Sequence, residues 1–209
     1  MNQDICDHAF TIIAPMPRPK TIDDSAVLDA AVRVIDRAGP SNLTFAAVAR
    51  EVGLSPATLV QRFASRRGLL LAIARRAAED AGSSLREAAR RHRSPLRALI
   101  AGLVGMSSPV ASPEAMANQL AFLQIDLSDP DFHRLALAHT AAVRSEIETI
   151  LDAAVAAGEL AIPDTSRLAG AVQTTYNGAM ITWAIYRKGR LDTWLRRELD
   201  TLLAPHRVA

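Results

Sequence analysis

One helix-start signal recurs along this chain and constrains its fold more than any other sequence feature. A serine or aspartate directly before proline occurs at Ser55-Pro56, Ser94-Pro95, Ser112-Pro113 and Asp129-Pro130. The short polar side chain can accept a hydrogen bond from a free amide at a helix N-terminus, and proline in the first helical position loses no hydrogen bond. Apolar residues at helical spacing follow these signals. The pattern predicts a succession of capped helices.

The composition favours the same class. The 209 residues include 39 alanines, which favour helices, and only nine aromatic residues, which favour strands. No strand pattern and no repeat of fixed period is evident. We therefore predict an all-α protein of about nine helices. Helices are also expected before Gly39, between Thr44 and Gly53, after Ser65, from Pro163-Asp164 to Tyr186, and after Gly189.

The charge distribution divides the chain. Residues 44–97 carry 11 basic and 4 acidic side chains, whereas the rest of the chain is net acidic. A basic block beside an acidic body is typical of a module that binds a polyanion, although a solvated helix face is the alternative. We predict a flexible N-terminal arm over residues 1–20, a DNA-binding domain over 21–81 and a larger helical domain over 82–209.

Two short helices joined through Gly53-Leu54 match the helix-turn-helix pattern. Leu59 and Phe63, four residues apart, form the inward pair of the second helix, whose outer face then lacks large apolar residues. Such a helix can enter a major groove about 12 Å wide, where Gln61 can pair with adenine and Arg62 with guanine or a phosphate. Arg66 begins the next helix and can bind phosphate there. The alternative is a helical hairpin without a nucleic-acid partner.

Residues 43–70, LTFAAVAREVGLSPATLVQRFASRRGLL, resemble the DNA-binding signature of the tetracycline-repressor (TetR) family, and the resemblance extends over residues 22–75. It implies a homodimeric DNA-binding regulator in which Thr44 contacts phosphate and Arg66 replaces the usual phosphate-binding lysine. Val60 stands where the family commonly has a tyrosine, so one phosphate hydrogen bond is lost, and the valine can instead contact a thymine methyl. The implied DNA-binding residues are Thr44, Ser55, Pro56, Ala57, Thr58, Val60, Gln61, Arg62 and Arg66.

The last two helices carry stripes suited to dimerisation. Small residues spaced along one helix permit close approach, and apolar residues at spacings of three and four follow on the next. Both stripes can equally be internal core. The candidate interface residues are Gly170, Thr174, Gly178, Ile181, Leu191, Trp194, Leu195 and Leu202.

Methionines and aromatic residues in the same region are candidates for an effector site. Pockets between helices are mostly apolar with a few polar groups, which Gln119, Gln173, Thr174 and Asn177 can supply. Core packing is the alternative for each residue. The candidate ligand residues are Met106, Met116, Leu120, Phe122, Leu123, Phe132, Tyr176, Asn177, Met180 and Trp183.

Other function classes have little support. The sequence contains no G-x-S-x-G, P-loop, G-x-G-x-x-G or H-E-x-x-H motif, so we expect neither an enzyme nor a cofactor or metal. Asp129 and His133, with Asp126 or His139, resemble half a metal site, but Asp129 is better explained as a helix cap. No apolar run reaches the roughly 18 residues of a membrane span, so we expect a cytoplasmic protein.

Together these features predict a repressor that a small apolar effector releases from a palindromic operator. Two alternatives remain at this point. One is a DNA-binding regulator without an effector. The other is a small-molecule-binding helical protein with a weakened DNA-binding head.

Overall fold

The computed structural model describes residues 22–208, so the expected arm over residues 1–20 lies outside the described range. Within that range the chain forms ten α-helices and two short 3₁₀ helices, with no strand, and the predicted all-α class is confirmed. The α-helices are α1 (Asp24–Ala38), α2 (Phe45–Val52), α3 (Pro56–Phe63), α4 (Arg66–Glu79), α5 (Ser83–Arg91), α6 (Pro95–Met106), α7 (Pro113–Ser128), α8 (Pro130–Ala156), α9 (Thr165–Tyr186) and α10 (Leu191–Leu203).

The helices begin where the cap signals predict. Ser55, Ser94 and Ser112 each accept a hydrogen bond from the amide three residues later, and proline is the first helical residue in each case. Asp129 caps α8 by accepting a hydrogen bond from the Asp131 amide at 2.9 Å. Local sequence thus sets these helix starts.

One helix, α5, was not predicted from the sequence as a separate element. It is short and polar, and the residue before it, Gly82, has no side chain to act as a cap. Gly82 has a φ of +73°, and a Cβ atom there would lie 2.5 Å from Cγ of Glu146 on α8. The glycine therefore permits both the left-handed turn after α4 and the close approach of α8.

The molecule has two apolar cores. The first is formed by α1 to α4, which we call the head (residues 24–79), and includes fully buried Val27, Leu43 and Leu59. The second is formed mainly by α5 to α10, which we call the body (residues 83–203). Phe132, on α8 of the body, is only 1% exposed and packs in the core of the head. The two units therefore share a packed boundary.

No helix within residues 22–208 has the length and apolar character needed to cross a membrane.

Candidate nucleic-acid interface and ligand cavity

Helices α2 and α3 form the predicted helix-turn-helix. The Thr44 hydroxyl caps α2 by accepting a hydrogen bond from the Ala47 amide at 3.1 Å. Gly53 ends α2 with a φ of +69°, in the left-handed region that glycine adopts without strain. Ser55 then caps α3 through the Thr58 amide at 3.1 Å. Because Leu59 is fully buried, the opposite face of α3 points away from the head.

That outer face is polar or small. Pro56, Ala57, Val60 and Gln61 are exposed, as is the cap residue Ser55. The half-buried Thr58 has its hydroxyl 2.9 Å from that of Ser55. Most of the predicted DNA-binding residues on α3 are therefore accessible on one surface.

Arg62 does not extend from this surface. Its Nη1 donates hydrogen bonds to the Ile22 carbonyl at 2.7 Å and to the Asp24 carboxylate at 3.2 Å. The reason is helical geometry, because Arg62 lies three residues after buried Leu59 and so shares the inward side of α3. The expectation that Arg62 faces a groove is corrected here to a contact that ties α3 to the start of α1.

Arg66 also binds the protein itself. Its Nε donates to the Leu43 carbonyl at 3.1 Å, and its Nη2 donates to the Pro40 carbonyl. These contacts hold the loop that precedes Thr44, the cap of α2. Arg66 thus positions the start of α2, which adds a structural role to its expected phosphate contact. Arg50, exposed in the last turn of α2, is a further cation that the motif did not identify, although it belongs to the basic block.

A cavity of about 450 Å³ lies where the head meets the body. Its wall combines α1 and α4 of the head with α7, α8 and α9 of the body. Six of the ten predicted ligand residues line it. These are Met116, Leu120, Phe122, Leu123, Asn177 and Met180.

The other four predicted ligand residues do not line this cavity. Met106 packs against the body core, where Tyr176 and Trp183 are buried, and Trp183 Nε1 donates a hydrogen bond to the Gly189 carbonyl at 3.1 Å. Phe132 meets Phe122 edge to face, with ring centres 6.2 Å apart, inside the head core. Core packing explains these four residues, as the alternative interpretation proposed.

The head contributes residues to the cavity that the sequence analysis did not identify, among them Ile35, Asp36 and Ile73. Burial raises the pKa of Asp36 above its usual range. On α7, burial raises the pKa of Asp126 to about 6, while the nearby His139 acts in the opposite direction. Two partly buried carboxyl groups thus face an otherwise largely apolar space.

Polar contacts tie the head to the body around this cavity. Arg67 on α4 donates to both Asp129 and Asp131 at 2.9 Å, and its guanidinium carbon lies 5.6 Å from the ring centre of Phe132. These carboxylates raise the pKa of Arg67. Elsewhere, Asn118 Nδ2 donates to the Asp36 carbonyl at 2.8 Å, and His139 Nδ1 lies 2.9 Å from the Ala77 carbonyl.

Asp129, which was considered as part of a metal site, caps α8 and forms an ion pair with Arg67. Within residues 22–208 no cluster of three or more potential metal ligands occurs.

The structure places the eight predicted dimer residues in different environments. Leu191 and Leu195 are buried in the chain's own core, which corrects their assignment to an interface, and Leu202 packs partly against that core. The Gly170 backbone lies against the Arg144 guanidinium, and Ile181 lines the cavity. Thr174 and Gly178 are exposed on α9, and the half-buried Trp194 packs partly against the body core, as Leu202 does.

A further apolar stretch extends the exposed side of α9. Ile185 is 74% exposed and Tyr186 60% exposed, so two large side chains are left largely uncovered in the single chain. The Tyr186 ring lies 5.7 Å from that of Trp194, which also stacks under the Arg197 guanidinium. We call Thr174, Gly178, Ile185, Tyr186 and Trp194 the α9–α10 face.

The family model described as bacterial regulatory proteins, tetR family, matches residues 27–73. The HTH-type transcriptional regulator BetI of Burkholderia lata is 32% identical over 132 residues, which are 61% of this chain and 67% of that protein. A putative TetR-family transcriptional regulator from Rhodococcus sp. superimposes with a TM-score of 0.65 at 24% identity, over 85% of this chain and 96% of the other. A TetR transcription regulator from Haloarcula marismortui gives a TM-score of 0.73 at 16% identity, over 88% and 97%.

The helix-turn-helix with its caps, the match to the family model and the relative that shares a third of the aligned residues all identify the same group. This chain belongs to the TetR family of DNA-binding transcriptional regulators.

Proposed function

We propose that this protein is a homodimeric repressor that a small molecule releases from a palindromic operator. The observation that carries the proposal is the cavity of about 450 Å³ whose wall is shared between head and body. A ligand held there contacts α1 and α4 of the DNA-binding head directly. Effector binding and DNA affinity are therefore coupled, because the helices of the DNA-binding head form part of the effector site. In domain terms, residues 21–81 bind DNA, and residues 82–209 supply most of the effector site and the dimer contact.

For DNA contact we propose the outer face of α3 together with the start of α2. Gln61 is exposed in the second turn of α3 and can form paired hydrogen bonds with adenine in the major groove. Thr44, Ser55 and Thr58 lie in the first turns of α2 and α3, and phosphate is bound favourably at helix N-termini. Pro56, Ala57 and Val60 supply small apolar contacts. Arg66 contributes by holding the loop before Thr44 as well as by its charge.

For dimerisation we propose the α9–α10 face. Ile185 and Tyr186 form part of an uncovered apolar surface, and Gly178 lets a second helix approach closely because nothing lies within 4 Å of the position a Cβ would occupy. A two-fold axis through this face places the same patch of both chains in contact, so that each side-chain contact occurs twice. Two heads placed about 34 Å apart would then contact successive major grooves of a palindrome.

For release we propose a shift between two conformations. An effector that fits the cavity better when α4 is displaced from α7 and α8 favours that state, in which the two heads no longer match adjacent grooves. The contacts of Arg67 with Asp129 and Asp131 transmit the displacement, because they join the start of α4 to the start of α8. A coupling of about 5- to 150-fold in DNA affinity is typical of such systems.

The experiment is a titration of the protein against DNA flanking its own gene and against random duplex, across a salt series. Specific binding should fall with salt at a slope near −0.9 for each phosphate contact. Gln61→Ala should weaken specific binding about tenfold or more and leave random-duplex binding unchanged, whereas Arg66→Ala should weaken both. Gln124→Ala, at an exposed position on α7, is the matched control for Gln61→Ala. Equal losses on both duplexes for Gln61→Ala would contradict its assignment to base recognition.

A further inference from the structure

The cavity between head and body contains negative charge at two positions. Its titratable lining groups are Asp36 on α1, Asp126 on α7 and His139 on α8. From α4 and α9 it receives only neutral groups, chiefly apolar side chains such as Ile73 and Met180. A ligand in this space therefore meets an apolar wall and two carboxyl groups that come from different sides of the junction.

Neither carboxyl group forms an ion pair within residues 22–208. Asp36 takes part in an interhelical hydrogen bond only through its backbone carbonyl, which accepts from Asn118. Asp126 has no ion pair or side-chain hydrogen bond within the described range, and the charge of the nearby His139 lowers its pKa. By contrast, Glu51 in the head binds both Arg33 and Arg37, and Asp129 binds Arg67. Asp36 and Asp126 thus line the cavity without the arginine partners that Glu51 and Asp129 have.

Burying a carboxylate without a partner is unfavourable, because the ion loses water and gains no opposite charge in return. The penalty falls when a cation enters the same space. From the cavity and its two unpaired carboxyl groups, we infer that the effector is an organic cation with an apolar body, and that Asp36 and Asp126 are its counter-ions. This inference rests on the proposed effector function and specifies its ligand class. Asp36 belongs to the head and Asp126 to the body, so a cation bound in this cavity contacts both units.

The test uses a series of probes that share one alkyl chain and differ in charge. These are octylammonium, 1-octanol and octanoate, and the flexible chain adapts to the shape of the cavity. Isothermal titration calorimetry of the full chain at pH 7.5 should rank octylammonium first, octanol second and octanoate last. If octanol or octanoate binds as tightly as octylammonium, or if octylammonium does not bind, the inference is overturned.

Two substitutions assign the charge preference to the proposed residues. Asp36→Asn and Asp126→Asn should each weaken octylammonium binding about tenfold, since a charged contact contributes roughly that much, and should leave octanol binding unchanged. Asp80→Asn, at an exposed position outside the cavity, is the matched control. Unchanged octylammonium binding in the Asp36 and Asp126 variants would place the cation elsewhere and overturn the inference.

The dependence on pH provides a second readout. Asp126 protonates as the pH falls, and protonation of Asp36, whose pKa burial also raises, acts in the same direction. Octylammonium binding should therefore weaken between pH 8 and pH 5, with a midpoint near the pKa of about 6 of Asp126, while octanol binding stays level. Equal pH profiles for the two probes would contradict the proposal.

Measurement of DNA affinity in the same samples separates this inference from the proposed function. If octylammonium binds through Asp36 and Asp126 but leaves operator affinity unchanged, the cation site stands and effector release fails. If operator binding is specific and another ligand class releases it while octylammonium does not bind, the proposed function stands and the cation inference fails.

Discussion

The head and the body differ in how far neighbouring residues determine their structure. In the head, the helix ends are determined by residues within the connections themselves. Thr44 caps the start of α2 and Gly53 ends it, while Ser55 and Ser65 cap the starts of α3 and α4. In the body, the helices also begin at caps, but which face of each helix is buried depends on contacts with residues distant in the sequence. Phe132 illustrates this difference, because it follows a local cap on α8 yet is buried in the core of the head.

The contrast extends to the two functional surfaces. The outer face of α3 comes from one helix of eight residues, so one buried anchor, Leu59, orients the whole surface. The cavity comes from five helices, and its carboxyl groups are 90 residues apart in the sequence, at Asp36 and Asp126. The proposed recognition of DNA is thus encoded locally, whereas the proposed recognition of an effector depends on how the helices pack.

The largest effect on stability is expected at Gly68, where the surrounding backbone leaves no space for a side chain. A Cβ atom at Gly68 would lie 2.1 Å from the Phe63 carbonyl oxygen, at the corner between α3 and α4. Because the obstacle is backbone, the corner itself must move, and Gly68→Ala should destabilise the protein by about 3 kcal/mol. Urea denaturation followed by circular dichroism measures this change, and DNA binding should be lost with it.

Gly105→Ala is the matched change in the body. Gly105 is exposed on α6, and an added Cβ would have its nearest neighbour at 3.9 Å, which is ordinary contact. Alanine favours a helix over glycine, so this variant should be up to about 1 kcal/mol more stable than the natural chain. Similar losses in both variants would show that glycine at the corner is no more restrictive than glycine within a helix.

The second prediction concerns the surface through which the body is proposed to dimerise. Ile185→Asp places an unpaired charge on the α9–α10 face, and the two-fold axis introduces it twice. The dimer dissociation constant should rise about 100-fold, measured by analytical ultracentrifugation. Leu137→Asp is the control, because Leu137 is also largely exposed but lies on α8, outside the α9–α10 face. Equal weakening in both variants would argue against this face.

The same contrast explains which parts of the structure could be predicted. The helix starts, the left-handed Gly53 and the exposed Gln61 follow from neighbouring residues and were predicted. Arg62 was misassigned, because its residue type favoured DNA contact while its spacing from Leu59 placed it on the inward side. Leu191 and Leu195 form an apolar stripe that suits an interface and a core equally well. Asp36 was missed, because nothing near it in the sequence indicates that α7 packs against α1 or that α8 and α9 line the same cavity.

The third prediction tests the connection between head and body. Arg67→Ala removes the contacts with Asp129, Asp131 and the Phe132 ring, while the cores of both units remain intact. The ratio of operator affinities without and with effector should then fall from the typical range of about 5- to 150-fold toward one. Octylammonium is the effector probe, and fluorescence anisotropy of labelled operator measures the affinities. Arg90→Ala removes an exposed arginine that pairs within α5 and should leave the ratio unchanged.

The smallest effect is expected at Asp126, where the proposed site lowers the stability of the fold. The folded-state pKa of about 6 lies above the value of about 3.8 for a free aspartate, so folding favours the protonated form. The corresponding stabilisation is present below pH 4 and is lost as the pH rises through 6. Asp126→Asn lacks this loss and should be more stable at pH 7 by on the order of 1 kcal/mol, allowing for the water that screens a half-buried group.

Denaturation of the natural chain and of Asp126→Asn at pH 4 and pH 7 tests this sign, with Asp80→Asn as the exposed control. The difference in the free energy of unfolding between the natural chain and Asp126→Asn should be small at pH 4 and should increase between pH 4 and pH 7. A variant that is less stable than the natural chain at pH 7 would mean that Asp126 has a stabilising partner in the folded protein. The Asp126 carboxylate would then stabilise the body by itself. The proposed cation site instead requires a carboxylate that has no partner until a cation binds in the cavity.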